Sequence, residues 1–182
     1  MAQDHQYLAQ LVRQAQSGSS DAFAELYVAT CQRQYRFSYQ YLKNEFLAQD
    51  AVQETYIQVL KNISTLRDPL LFSAWLNQIN MRVCYAIYQK ESADHRHLAL
   101  YTQAAVPDRA NSPELRFMED FDREYLLGQV MALPFSESQA IFLRYFRNMK
   151  LEEIAKMMEI SVSSVKRYIK SGQKTLSQQL KS

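Results

Sequence analysis

The chain has 182 residues, of which 47% are hydrophobic, and a net charge of only +2, enough to build one sizeable domain or two small ones. Three glycines and four prolines are too few to turn the many short strands of a sheet protein, so the chain is read as all-α. No segment approaches membrane-spanning length, the opening MAQDHQYLAQ lacks the apolar core of a signal peptide, and the expected location is the cytoplasm.

Residues 3–16 place Tyr7, Leu8, Leu11, Val12 and Ala15 on one helical face, and SGSSD ends that helix and caps the next. From Ala22, the residues Phe23, Leu26, Tyr27 and Thr30 keep helical spacing. Tyr35, Phe37, Tyr39 and Tyr41 then alternate with polar residues, which by itself signals a strand. No turn residues bracket the run and its flanks are helical, so the helix is expected to continue to about Lys43. Cys31 and Cys84 stand apart from each other and from any His at ligand spacing; both are read as reduced, buried small residues, and no metal or cofactor is expected.

Asn44 interrupts, and a helix begins after it with Ala48, Val52, Tyr56, Val59, Leu60 and Ile63 on its core side. Asp50, Gln53, Glu54 and Ile57 lie together on the other side. An aliphatic residue among polar ones is either a stray on a solvated face or the centre of a contact with a partner. The stretch DAVQETYIQVL resembles the D-x-V-Q-E-x-F-x-x-L pattern of sigma factor region two, whose helix docks on the coiled coil of the RNA polymerase beta-prime subunit. The resemblance implies that Asp50, Gln53, Glu54 and Ile57 bind core polymerase.

It continues through KNISTLRDPLLFSAWLNQINMRVCYAIYQK. Phe72, Trp75, Leu76, Ile79, Val83 and Ile87 form the expected inward stripe, which leaves Asn77, Gln78, Met81, Arg82 and Tyr85 outward. The loop before the helix has a plain reading, a connection broken by Pro69. In the family this loop and helix open the minus-ten promoter element and hold unpaired bases, work suited to hydrogen-bonding and stacking side chains. The resemblance therefore implies DNA contacts from Asn62, Ser64, Thr65 and Arg67, with Asp68 nearby, and from Asn77, Gln78 and Met81.

Residues 91–113 lack a sustained apolar face, carry two prolines and are read as a linker. His95 and His97 flank Arg96 with no Cys or carboxylate at ligand spacing, and are read as solvent-exposed rather than as a metal site. Acidic Glu114, Glu119, Asp120, Asp122 and Glu124 precede or enter a helix expected over 116–131. Ala140, Ile141, Leu143 and Tyr145 are expected to build a scaffold under the helical pair that follows over 150–176.

Residues 150–176 read as two short helices joined by a tight turn. Leu151, Ile154, Ala155 and Met158 share a face of the first, Ile160 plugs the corner, and Ser161 caps the second, whose inner stripe is Val162, Val165, Ile169 and Leu176. Ser163, Ser164, Lys166, Arg167, Lys170 and Lys174 lie outward. Between residues 134 and 182 nine Lys and Arg face four Asp and Glu, a local net of +5 that the whole-chain value conceals. A solvated basic hairpin and a helix-turn-helix with its second helix in a major groove both fit this spacing. Residues 133–176 resemble the C-terminal DNA-binding region of bacterial sigma factors, particularly the extracytoplasmic-function group, and this implies DNA contacts from the six outward residues. Glu159 stands where that family usually has Gly, so the turn there either avoids positive φ or is strained.

Both halves resemble two regions of one family in the right order. The resemblance implies a promoter-specificity subunit, not an enzyme, with two helical domains: region two over 1–90 and the helix-turn-helix of region four over 114–182, with the linker over 91–113. Its partners would be core RNA polymerase, through the beta-prime and beta subunits, and promoter DNA, and it admits an anti-sigma factor. The alternative is a stand-alone dimeric helix-turn-helix regulator.

Overall fold

The computed structural model describes residues 2–102 and 125–179, with side chains over 5–93 and 125–179. The chain divides into two units, Met1–Ile87 and Tyr88–Ser182. The side chains of His95 and His97, the acidic residues between 114 and 124, and the linker beyond residue 102 lie outside what the structure describes.

In the first unit α1 (Ala2–Gln16) leads through Gly18, at φ 94°, into α2 (Ser20–Leu42). Ser19 caps α2 by accepting from the Ala22 N–H at 3.2 Å. The aromatic alternation is helical, as expected, and α2 stops at Lys43, whose left-handed backbone (φ 54°) lets its N–H reach Tyr39 O at 2.9 Å. Asn44 then caps α3 (Glu45–Asn62), its side-chain oxygen accepting from Leu47 N–H at 3.1 Å. Two single 3₁₀ turns, Ile63–Thr65 and Pro69–Leu71, connect to α4 (Phe72–Thr102).

Leu11, Val12, Leu26, Phe37, Tyr41, Val52, Val59, Phe72, Leu76 and Val83 make the core of this unit. Every residue of α4 from Leu76 to Met81 is buried, so this stretch has no water-facing side. A helix so enclosed must satisfy its polar side chains internally. It does so through Asn80, whose Nδ2 donates to Gln34 O at 3.2 Å and Gln34 Oε1 at 2.9 Å, while Oδ1 accepts from Ser38 at 2.9 Å and Thr55 at 3.1 Å.

Several expected placements differ. Tyr7 is exposed and donates to Glu25 at 2.9 Å, and Ala9 takes the inward position instead. Trp75 is half-buried, Cys31 is partly exposed, and only Cys84 is a core cysteine. α4 does not end near Lys90 but runs to Thr102, because the segment ESADHRHLALYT contains neither Gly nor Pro and is rich in helix formers.

In the second unit, α5 (residues 125–131) is followed by α6 (Phe135–Ile141) and a π-helical turn, Phe142–Phe146. Then come α7 (Leu151–Met158) and α8 (Val162–Gln179). Leu127, Val130, Met131, Leu133, Ile141, Phe142, Leu143, Ile154, Val165 and Ile169 are buried together with Gly172. The gap opposite Gly172 is narrow: a Cβ there would meet Ile141 Cδ1 at 2.5 Å and Leu133 Cδ1 at 3.2 Å. Tyr145 is not part of the buried scaffold; it is exposed, and its hydroxyl accepts from Gln173 Nε2 at 2.8 Å.

Candidate functional site

Three surfaces carry the residues expected to bind partners. On α3, Asp50, Gln53, Glu54 and Ile57 are all exposed. They do not stand alone. Phe46 is 79% exposed, Ile57 45% and Leu60 61%, although helical spacing assigns Leu60 to the core. Residues 46, 50, 53, 57 and 60 recur at spacings of four and three, so the three apolar side chains form one stripe with Asp50 and Gln53 between them. The opposite side of α3, with Ala48, Ala51, Val52, Thr55, Tyr56 and Val59, is buried. An exposed apolar stripe edged by carboxylates and amides suits a protein partner.

The second surface is the loop before α4. Asn62, Ser64, Thr65 and Arg67 are exposed. Local hydrogen bonds shape the loop: Asn62 Nδ2 donates to Gln58 O at 2.8 Å, the Thr65 hydroxyl to Asn62 O at 2.7 Å, and Asp68 accepts from Leu70 N–H at 3.0 Å. From α1, Gln16 Nε2 reaches both Ile63 O and Leu66 O at 2.8 Å, tying the loop to the helical core.

The helical half of this expected surface is corrected by the structure. Asn77, Gln78 and Met81 are buried, and Asn77 Oδ1 accepts from Gln34 Nε2 at 3.0 Å. Polarity ordinarily signals exposure, but α4 is enclosed there, and a buried amide paired across helices is as stable as a solvated one. The water-facing side of α4 carries instead the exposed Arg82 and Ala86 with the half-buried Trp75 and Tyr85. The Trp75 ring lies 6.3 Å from that of Phe72, tilted by 41°.

The third surface is α8. Glu153 accepts from the Lys150 N–H at 2.7 Å to start α7, and α7 ends at Glu159 with φ 54°, the left-handed conformation that glycine would adopt without strain. Ile160 N–H then closes the turn on Ala155 O at 3.0 Å. Ser161 caps α8, accepting from Ser164 N–H at 3.1 Å. Ser163, Lys166, Arg167, Lys170 and Lys174 are exposed along one stripe, while Ser164 is partly covered and lies 3.0 Å from the Ser161 hydroxyl. Arg167 Cζ stands 5.5 Å from the Tyr168 ring centroid, which braces the guanidinium.

Among the described residues no group of three or more His, Cys, Asp or Glu is placed to hold a metal, and no helix is long and apolar enough to cross a membrane.

The family model for sigma-70 region 2 matches residues 26–93, and that for sigma-70 region 4 matches residues 123–176. The chain is 28% identical over 167 residues to the ECF RNA polymerase sigma factor BldN of Streptomyces coelicolor, covering 90% of this chain and 62% of that protein. It is 25% identical over 179 residues to the ECF RNA polymerase sigma factor SigW of Bacillus subtilis, covering 93% of this chain and 95% of the relative. Among solved structures, CnrH in complex with the cytosolic domain of CnrY matches with a TM-score of 0.57 at 20% identity, over 96% of this chain and 97% of that one, a likeness of fold.

Proposed function

The chain belongs to the sigma-70 family, in its extracytoplasmic-function group, and on that premise we propose that it directs core RNA polymerase to a set of promoters and assists their opening. The observation that carries this reading is the succession of region 2 and region 4 in one chain, with an apolar stripe on α3 in one unit and a cationic stripe on α8 in the other.

In this reading Asp50, Gln53, Glu54 and Ile57, extended by Phe46 and Leu60, dock on polymerase. Burying three partly exposed apolar side chains provides the attraction, at about 1.5–3 kcal/mol for each side chain fully buried, and the polar neighbours set the orientation. Asn62, Ser64, Thr65 and Arg67 hold unpaired bases of the minus-ten element, with Trp75, Arg82 and Tyr85 of α4 in place of the buried Asn77, Gln78 and Met81. Aromatic faces stack on bases and hydroxyls and amides read their edges, which needs no dense positive charge. On α8, Ser163, Ser164, Lys166 and Arg167 lie toward base edges in the major groove of the minus-thirty-five element, while Lys170 and Lys174 neutralise phosphates. Residues 1–90 and 114–182 are the proposed functional halves. The chain acts in the cytoplasm and supplies binding energy rather than a catalytic group, and the family resemblance adds an anti-sigma factor as a third partner.

Two weak DNA contacts become strong together when docking on polymerase fixes their separation. Run-off transcription on a promoter and on the same promoter with about five base pairs inserted between its elements tests this, since the insertion turns one element by about half a helical turn. Transcription should collapse, while a gel shift with the chain alone hardly changes. Tight binding to an inverted repeat without polymerase would instead identify a dimeric regulator and overturn the reading.

A further inference from the structure

The buried hydrogen bonds around Asn80 join three helices. Gln34 and Ser38 come from α2, Thr55 from α3, and Asn80 itself from α4. Asn80 uses both amide hydrogens and both acceptor positions, and Ser38 in turn lies 3.3 Å from the Cys84 thiol one turn further along α4. The Thr55 hydroxyl divides its proton between Ala51 O at 2.6 Å and Asn80 Oδ1 at 3.1 Å.

The position of this network matters as much as its completeness. Thr55 precedes Ile57 by two residues, about 160° round α3, so it sits behind the apolar stripe. Asn80 lies about 140° from Trp75 and about 160° from Arg82 round α4, so it sits behind the water-facing side of that helix. Apolar contacts between helices tolerate small slides and rotations, whereas a saturated buried network admits one register.

Resting on the sigma-factor reading, we propose that Thr55 and Asn80 are positioning residues that lock the rotation of α4 against α3, so that docking through the α3 stripe delivers Trp75, Arg82 and Tyr85 to promoter DNA in the orientation that opens it. Neither residue touches polymerase or DNA. Thr55→Val keeps the shape and deletes the hydroxyl, leaving Asn80 Oδ1 with one fewer donor. Thr55→Ser keeps the hydroxyl. Val59→Ala loosens the buried side of α3 without touching the network.

The three variants and the parent chain are assembled with core polymerase. Transcription is measured on a promoter selected by the parent holoenzyme from a randomised library, supplied as full duplex and with its minus-ten segment left unpaired. Thr55→Val should lower duplex transcription by about tenfold, the scale of one buried polar group short of a partner, with polymerase affinity and transcription from the pre-opened template within about twofold of the parent. Thr55→Ser should restore the parent ratio of duplex to pre-opened transcription, and Val59→Ala should keep that ratio even where stability falls. A parent-like ratio in Thr55→Val, or a shift of equal size in Val59→Ala, overturns the positioning role alone. Absence of polymerase-dependent transcripts from the parent chain on both templates overturns the sigma-factor reading and this proposal with it.

Discussion

Gly172 sits where α8 crosses α6, and replacing it with Ala tests how closely the second unit is packed. The added Cβ would lie 2.5 Å from Ile141 Cδ1, 3.2 Å from Leu133 Cδ1 and 3.4 Å from Glu137 Cβ. Carbon atoms rest at about 3.5–4.0 Å, so the Ile141 contact demands a shift of about 1 Å in a side chain that is itself buried. Overpacking of this kind costs about 1–3 kcal/mol, and the better helix propensity of Ala returns about 1 kcal/mol, leaving Gly172→Ala less stable by up to about 2 kcal/mol. Ile141→Val removes the offending methyl and by itself costs about 1 kcal/mol. In the double variant the worst contact no longer exists, so the two losses should not add: a coupling of about 1–2 kcal/mol is expected. Urea titration followed by amide hydrogen exchange in α6 and α8 reads all four corners of the cycle. Additivity within about 0.5 kcal/mol would refute the close approach of these helices.

Ile57→Lys places a charge at the centre of the α3 stripe; affinity for core polymerase should fall by about thirtyfold or more while the melting temperature hardly moves, and unchanged affinity in an anisotropy titration would count against that face. Glu159→Gly relieves a left-handed residue and should stabilise the chain by about 1 kcal/mol in thermal unfolding, a gain Glu159→Ala should not share. Burial pushes the Cys84 thiol from 9.0 up to about 12, so iodoacetamide at neutral pH should label Cys31 alone until the chain is unfolded. Because the folded state holds that proton more tightly, its contribution is intact below pH 9.0 and is lost as pH rises toward about 12, at up to about 1.4 kcal/mol per unit.

Helix starts were legible because their signals are local, whereas the end of α4 carries no Gly or Pro to mark it. Ser19, Asn44 and Ser161 each cap the helix that begins after them, and the aromatic alternation around Phe37 is helical because no turn residue brackets it. The central part of α4 was not legible in the same way. A helix buried on all sides loses the periodic contrast that marks an inward face, and the partner of Asn77 lies 43 residues away at Gln34. Leu60 failed for a different reason. Periodicity gives the direction of a buried face but not the width of the arc its neighbours cover, and Leu60 lies just beyond it. Counting out from Ile57 at spacings of four and three finds both Phe46 and Leu60. On α8 the residues were legible because the stripe is local and its charge is dense; only Ser164, drawn in by the cap, is partly covered.

The stripe of Phe46, Ile57 and Leu60 also bears on the chain when nothing is docked on it. In free solution these three side chains face water together, and two such stripes can satisfy one another as well as a partner can. Solubility is therefore limited by the same atoms proposed to dock on polymerase, and overproduction without polymerase should drive self-association. Asp50 and Gln53 interrupt the apolar run, and the carboxylates of Asp50 and Glu54 bring like charges together when two copies meet, which keeps that association weak. Leu60→Glu should accordingly raise the concentration at which the chain stays monodisperse while weakening docking, because one surface governs both.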